Sequence, residues 1–241
     1  MNPRRVLVTG GSGDIGGAVC AALARAGWQV IVHAHTRREQ AAAVAARLRE
    51  AGGAAEVAAF DVTDAAATRA AIDALLQAGP IQALVHNAGI HDDAPLAGMA
   101  EAQWQRVIDV SLNGFFHVTQ PLLLPMARAR FGRIVALSSV AATLGNRGQV
   151  NYAAAKSALH GAARSLAREM ASRSVTVNVV APGVIAGRMT EALFTPEQIK
   201  AMIPAARTGT PMEVAAVVAF LCSDAASYVN GQVIGVNGGM A

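Results

Sequence analysis

Tyr152 and Lys156 stand four residues apart in NYAAAK. On a helix that spacing puts both side chains on one face, with the ammonium beneath the phenol ring. A free tyrosine titrates near ~10 and is a poor acid at neutral pH, whereas a fixed positive charge favours the phenolate and lowers that value. The pair therefore reads as proton-handling. Upstream, the apolar run Ile134 to Leu137 lies between Gly132 and the hydroxyls of Ser138 and Ser139, the pattern of a buried strand with a polar end. Ser139 is placed to hydrogen-bond a carbonyl oxygen while Tyr152 gives that oxygen a proton. Carbonyl reduction further needs a hydride, which no side chain delivers, so a cofactor is implied.

Such a trio needs a scaffold. Arg5 to Thr9 is a buried strand by its apolar run, and TGGSGDIGGAVCAALARAG is a glycine turn feeding a helix that ends at Gly27. Gly11, Gly13 and Gly16 spell G-x-G-x-x-G in strand–turn–helix context, where glycines admit a pyrophosphate to the backbone and the helix N-terminus favours its charge. Gly10 to Gly16, with Ser12, Asp14 and Ile15 among them, are thus expected to border a dinucleotide. A second strand, Gln29 to Ala34, leads into His33-Ala34-His35-Thr36-Arg37-Arg38 with no acid before Glu39. An acid there would bind the ribose hydroxyls of NAD, so its absence favours NADP, with Arg37 near the extra phosphate. A plainer reading, in which Arg37 and Arg38 only begin a solvated helix, stays open.

The alternation continues. A helix runs to Ala51, a strand lies near Glu56 to Phe60 before Asp61-Val62, a helix starts at Asp64, and a strand Ala83 to His86 precedes Asn87-Ala88-Gly89. A long helix, Gln103 to Arg130, is expected to bend or break near its end at Pro121 and Pro125. TVNVVAPG at 176–183, a helix Met212 to Ser223 and a strand Gln232 to Val236 complete the chain. Strands separated by helices predict an α/β protein: a Rossmann-type, doubly wound parallel sheet flanked by helices, with ligands at the C-terminal strand ends. Asp61, Asn87 and Ser139 all fall at such ends.

At 241 residues, 53% hydrophobic and 15% charged, with no linker or repeat, the chain reads as one domain over 1–241. Cys20 and Cys222 have no C-x-x-C spacing, so neither a disulfide framework nor a metal site is expected. No stretch approaches the ~20 apolar residues of a membrane span, and the cytoplasm is the expected compartment. The net charge of +4 comes from scattered Lys and Arg without an aromatic-rich basic stripe, which speaks against nucleic acid as a ligand.

TGGSGDIG, HNAG, Ser139 with NYAAAK, NVVAPG and VNGGM, in that order, resemble the short-chain dehydrogenase/reductase family along nearly the whole chain. GNRGQVNYAAAK resembles the branch that reduces 3-oxoacyl groups on acyl carrier protein. The resemblance implies Tyr152 as general acid, Lys156 as the group that lowers its pKa and holds the nicotinamide ribose, and Ser139 as carbonyl binder. It implies NADPH as hydride donor. Asn87, Ala88, Gly89, Asp61 and Val62 match contacts near the adenine and ribose, and His35 falls beside the adenosine phosphate. Pro182 and Gly183 border the flat cofactor, and Ile185 matches a backbone contact to the carboxamide. Gln149, Asn146 and the loop His91 to Met99 would border the substrate. Arg130 and Arg173 match arginines that meet the acidic carrier, and the long helices match those that join a homotetramer.

Three positions depart from the pattern. Asp14 stands where the family writes glycine, and is expected to point away from a phosphate and to tolerate a left-handed backbone. Ser111 replaces an asparagine that holds a water in the proton relay, and Gly187 replaces a threonine that touches the nicotinamide amide. The reading is NADPH-dependent reduction of a 3-oxoacyl thioester. A reductase or dehydrogenase for another ketone or alcohol, and a non-catalytic NADPH-binding sensor or subunit, stay open.

Overall fold

Runs rich in Val and Ile become seven strands, and the alanine-rich stretches between them become helices that cover both faces of one sheet. The computed structural model describes residues 3–187 and 194–241. In chain order the elements are β1 (Arg5–Thr9), α1 (Asp14–Arg25), β2 (Gln29–Ala34), α2 (Arg38–Glu50), β3 (Ala55–Ala59), α3 (Ala65–Gln77) and β4 (Ile81–His86). There follow α4 (Glu101–Ile108), α5 (Gly114–Ala129), β5 (Gly132–Leu137), α6 (Ala141–Leu144), α7 (Val150–Met170) and β6 (Val175–Pro182). Helices Pro196–Met202 and Pro211–Cys222 precede the last strand, β7 (Val233–Val236). The strands pair in parallel in the order β3-β2-β1-β4-β5-β6-β7.

Period-two alternation divides the core. Val6 and Val8 pack on one side of β1 with α1, α2 and the helix Pro211–Cys222, while Leu7 packs on the other with α3, α5 and α7. Central strands β5 and β6 are buried along their whole length, as a parallel sheet covered on both faces requires. Strand order reverses between β1 and β4, so the connections that leave their paired C-terminal ends run to opposite faces of the sheet and leave a crevice. Among the described residues no helix is long and apolar enough to cross a membrane.

The long helix corrects one expectation. Pro121 and Pro125 neither end nor break it; α5 continues through both to Ala129, because the row Val118, Leu122 and Met126 anchors it against the sheet. The irregularity comes earlier, as a π turn over Asp109–Asn113 that joins α4 to α5. α5 closes on Arg130 in a left-handed conformation, φ 50°, and the turn after α7 closes on Ser174 with φ 58°.

Candidate active site

The crevice starts at the glycine turn. Gly10 has φ 63°, and the Gly13 amide donates to its carbonyl at 3.1 Å, winding the chain into α1. A methyl group on Gly16 would lie 2.2 Å from that same carbonyl oxygen, so the third glycine lets helix and turn touch. Gly11 is packed away from the crevice, where a Cβ would meet Val32 and Cys20, and Gly13 has φ −83° and no crowding. The strict requirement for glycine thus sits at Gly10 and Gly16. Ser12 leads on to Gly13, Asp14 and Ile15 at the crevice wall.

Asp14 overturns two expectations. It takes a helical backbone as the first residue of α1, and its carboxylate faces the crevice instead of turning away. A Cβ added to Gly187 would lie 2.9 Å from Asp14 Oδ2, so the carboxylate reaches across to the opposite wall. Two of the departures from the family pattern are therefore neighbours, and the absence of a side chain at 187 makes room for the acid at 14. Gly187→Thr is expected to weaken dinucleotide binding, and Asp14→Gly to relieve the loss. A coupling of about 1 kcal/mol, roughly five-fold in affinity by titration, is the expected size.

At the far side, α7 carries Tyr152 and Lys156 on its inward face, with Leu159, Ala163 and Ala167 continuing the buried stripe. Lys156 Nζ lies 5.8 Å from the Tyr152 ring centroid and donates to the Leu137 carbonyl at 2.9 Å. Burial pushes its pKa down to about 8. The phenol does not show the lowered pKa expected of it. Burial raises it, a side-chain hydrogen bond with Ser139 pulls the other way, and the carboxylate of Asp93 adds to the rise. Desolvation outweighs an ammonium that spends its hydrogen bond on a strand-end carbonyl. Ser138 cannot share the role of Ser139: its hydroxyl donates to the Lys156 carbonyl at 3.0 Å and lies 2.7 Å from His160 Nε2.

Ser111 is fully buried in the π turn and its hydroxyl has no partner among the described residues. Gly89 separates it from Lys156: a Cβ there would lie 2.8 Å from Nζ and 3.5 Å from Ser111 Oγ. Asn87 braces the glycine turn, its Nδ2 donating to the carbonyls of Thr9 at 3.1 Å and Gly10 at 3.0 Å. Ala88 joins it in lining the crevice.

At the β2 end, His35 Nε2 lies 3.7 Å from Asp61 Oδ2, and Arg37 reaches the crevice wall just before α2. Burial would raise the Asp61 pKa, yet hydrogen bonds from Thr63 and the nearby His35 hold it below the ordinary value. Val62 is buried against Gly114 and leaves its carbonyl to His117 Nδ1 at 2.8 Å. Across the crevice run Pro182, Ile185 and Ala186. Gly183 is instead a packing glycine, where a Cβ would come within 2.8 Å of Asn237 Cα.

The mouth is tied together by polar side chains. Asn146 Nδ2 donates to Gln149 Oε1 at 2.9 Å, and Gln149 Nε2 donates to Asp93 Oδ2 at 2.8 Å. Arg130 Nη2 donates to the carbonyl of Ser172, the residue before Arg173, at 3.3 Å, but both arginines lie at the N-terminal ends of β5 and β6. A six-residue strand is about 20 Å long, so this pair sits at the opposite edge of the sheet from Tyr152.

Thr9 and two histidines escaped the sequence reading, as did the particular part of Asp93 within the loop His91 to Met99. His33 accepts the Gly10 amide at 3.2 Å and bonds the Phe60 carbonyl at 2.9 Å, and His86 is buried behind Asn87. The one available signal was their place at strand ends, His86 directly before Asn87. Gly10 and Gly16 let the backbone come close, and the open N-terminus of α1 offers amides, so the crevice of ≈ 300 Å³ has the form of a dinucleotide cleft.

A family model described as enoyl-(acyl carrier protein) reductase matches residues 11–241. The chain is 44% identical over 237 residues to a 3-oxoacyl-[acyl-carrier-protein] reductase of Aggregatibacter actinomycetemcomitans, covering 98% of each chain. It is 42% identical to the enzyme of that name from Escherichia coli K12, covering 97% of this chain and 96% of the other. A crystal structure from Agrobacterium tumefaciens, provisionally called a gluconate dehydrogenase, matches with a TM-score of 0.94 at 35% identity, over 98% of this chain and 95% of that one. Identity at this level over nearly the full length, with a family model matching from the glycine turn to the last residue, makes the chain a member of the short-chain dehydrogenase/reductase family.

Proposed function

We propose that the protein is an NADPH-dependent oxidoreductase that reduces 3-oxoacyl thioesters on acyl carrier protein to 3-hydroxyacyl thioesters, in fatty-acid synthesis. The observation that carries this reading is the convergence of three groups: the Ser139 hydroxyl, close enough to Tyr152 to pull its pKa down against burial, the phenol itself, and the Lys156 ammonium 5.8 Å from the phenol ring. Two hydroxyls at one point suit a carbonyl oxygen, which gains negative charge and then a proton. NADPH supplies the hydride when bound in the cleft. Ser139 orients the carbonyl, Tyr152 delivers its proton to the oxygen, and the Lys156 charge stabilises the phenolate left behind. Ser111 works behind Lys156. His35 and Arg37, with no acid at the end of β2, support the extra phosphate of NADP. The whole chain serves as one dinucleotide-binding domain, and the cytoplasm is its compartment, in keeping with two buried free cysteines.

The relatives' name supports the substrate and the carrier. Arg130 and Arg173 serve the carrier from the far edge of the sheet, which in turn favours a homotetramer in which they approach a neighbouring copy's cleft. Phe116 and Leu124, 62% and 66% exposed on α5, support such an assembly. The gluconate-dehydrogenase likeness favours a second reading, a sugar-acid or other ketone as substrate.

The test is NADPH oxidation with a 3-oxobutanoyl group on carrier protein, run beside the same acyl group on a short pantetheine, beside an enoyl thioester, beside a keto sugar acid, and with NADH. Turnover that prefers NADPH and the carrier-bound 3-oxoacyl group is expected. Charge reversal, Arg130→Glu with Arg173→Glu, is expected to raise KM for the carrier-bound substrate about ten-fold more than for the short one. Faster turnover of the sugar acid would shift the assignment to the second reading.

A further inference from the structure

The end of β4 holds a buried histidine that the proton-transfer chemistry above does not use. The amides of Asn87 and Ala88 both donate to Thr9 Oγ1, each at 3.0 Å. The one proton of that hydroxyl is thereby free to point at His86 Nδ1, 3.4 Å away, which accepts it. The ring proton then belongs on Nε2, which donates to the Ser111 carbonyl at 3.0 Å. Phe115 meets the ring edge-on, with centroids 5.5 Å apart, and both Thr9 and His86 are fully buried. Burial first, and then the charge of Lys156, hold the ring neutral.

Ser111 lies in the π turn, where helical bonding is irregular, and its carbonyl has His86 as a donor from outside the helix. Its hydroxyl is buried, has no partner among the described residues, and converges with Lys156 Nζ on Gly89. We propose that His86 is a positioning residue for the reaction: as the Nε2–H tautomer it ties the end of β1, through Thr9, to the Ser111 carbonyl, and so holds the Ser111 hydroxyl beside Lys156. The cleft floor and the proton-handling face are then one hydrogen-bonded unit. A polar group of fixed direction in this position lets a residue as short as serine serve the lysine.

The inference rests on the reductase reading, so the test includes a readout that does not depend on turnover. In the full-length protein, the ring nitrogens of His86 are expected to show the neutral Nε2–H pattern by NMR throughout pH 6–8. The Nδ1–H tautomer, or a charged ring at pH 6, would overturn the proposal whatever the substrate proves to be. His86→Phe keeps the packing on Phe115 and removes both hydrogen bonds. It is expected to lower kcat at least ten-fold with the Kd for NADPH within two-fold, and His86→Gln, which can accept from Thr9 and donate to Ser111, is expected to recover most of the loss. Adding His86→Phe to Ser111→Ala should cost less than two-fold further. An unchanged kcat in the phenylalanine variant, additive losses in the double variant, or parallel falls in kcat, NADPH affinity and melting temperature would each sink the idea. If the wild type reduces no thioester while the NMR pattern holds, the substrate assignment fails and the tautomer assignment stands.

Discussion

Tyr152→Phe is expected to lower kcat by about 10²–10⁴-fold, the usual worth of a positioned general acid, while NADPH binding, followed by cofactor fluorescence, stays within a few-fold. The phenylalanine ring fills the same partly buried space on α7, so the loss isolates the hydroxyl. Its proton must move to the substrate oxygen as charge builds there. Burial raises the Tyr152 pKa, which keeps the phenol protonated at neutral pH and ready to donate. The conjugate problem falls on Lys156, whose charge must stabilise the departing phenolate and whose pKa lies at about 8. Below that value the ammonium is present; above it the charge fades. Reduction by the wild type should therefore be flat through neutrality and decline as pH rises past about 8. A kcat profile that rises through that range instead would remove Lys156 from the role given to it.

Gly16→Ala is expected to be the most damaging single-methyl change in the protein. The new Cβ would lie 2.2 Å from the Gly10 carbonyl oxygen and 2.8 Å from Asn87 Nδ2, and the first of these is backbone that cannot swing aside. The turn must open, and the two bonds from Asn87 to Thr9 and Gly10 go with it. Overpacking of this kind costs about 1–3 kcal/mol or more, roughly 2–4 °C of melting temperature per kcal/mol in a chain of this size. A loss of at least ~100-fold in NADPH affinity is expected beside it, since the amides that would meet the pyrophosphate are displaced. Gly13→Ala is the control: its nearest neighbour would be 3.5 Å away and its φ suits any residue, so stability should hold within ~0.5 kcal/mol. Equal damage at both positions would mean that the turn is not built as described.

Much of this was legible in the sequence because it rests on local rules. The apolar runs became the seven strands, the glycine turn became the start of α1, and Tyr152 and Lys156 share a face because a helix imposes it. What escaped depended on contacts between distant segments. Nothing near Asp14 says that Gly187 will face it, and nothing in HNAG says that His86 will find Ser111, 25 residues on. The phenol pKa was misjudged for a related reason: a charge four residues away is visible in the sequence, whereas the depth of burial is not. Arg130 and Arg173 are matched to the carrier by resemblance alone, yet they lie at the N-terminal ends of β5 and β6, because strand polarity sorts residues between the two ends of a parallel sheet and a residue's type does not report it.

The π turn also settles a question of helical phase. An α-helix advances about 100° per residue, so eight residues of regular helix would leave Phe115 about 80° out of line with Val107. The wide turn over Asp109–Asn113 absorbs about that angle. Val107, Ser111 and Phe115 consequently stack on one inward line, and all three are buried. The turn is thus a splice that lets α4 serve the mouth, through Gln103 and Arg106 bonded to Asp92, and α5 serve the sheet without either losing its inner face. Removing a single residue from it would rotate α5 by about 100° against α4, pointing the row Val118, Leu122 and Met126 away from the strands it now covers. The position of Ser111 and the packing of sixteen residues downstream are in this sense set by the same extra residue.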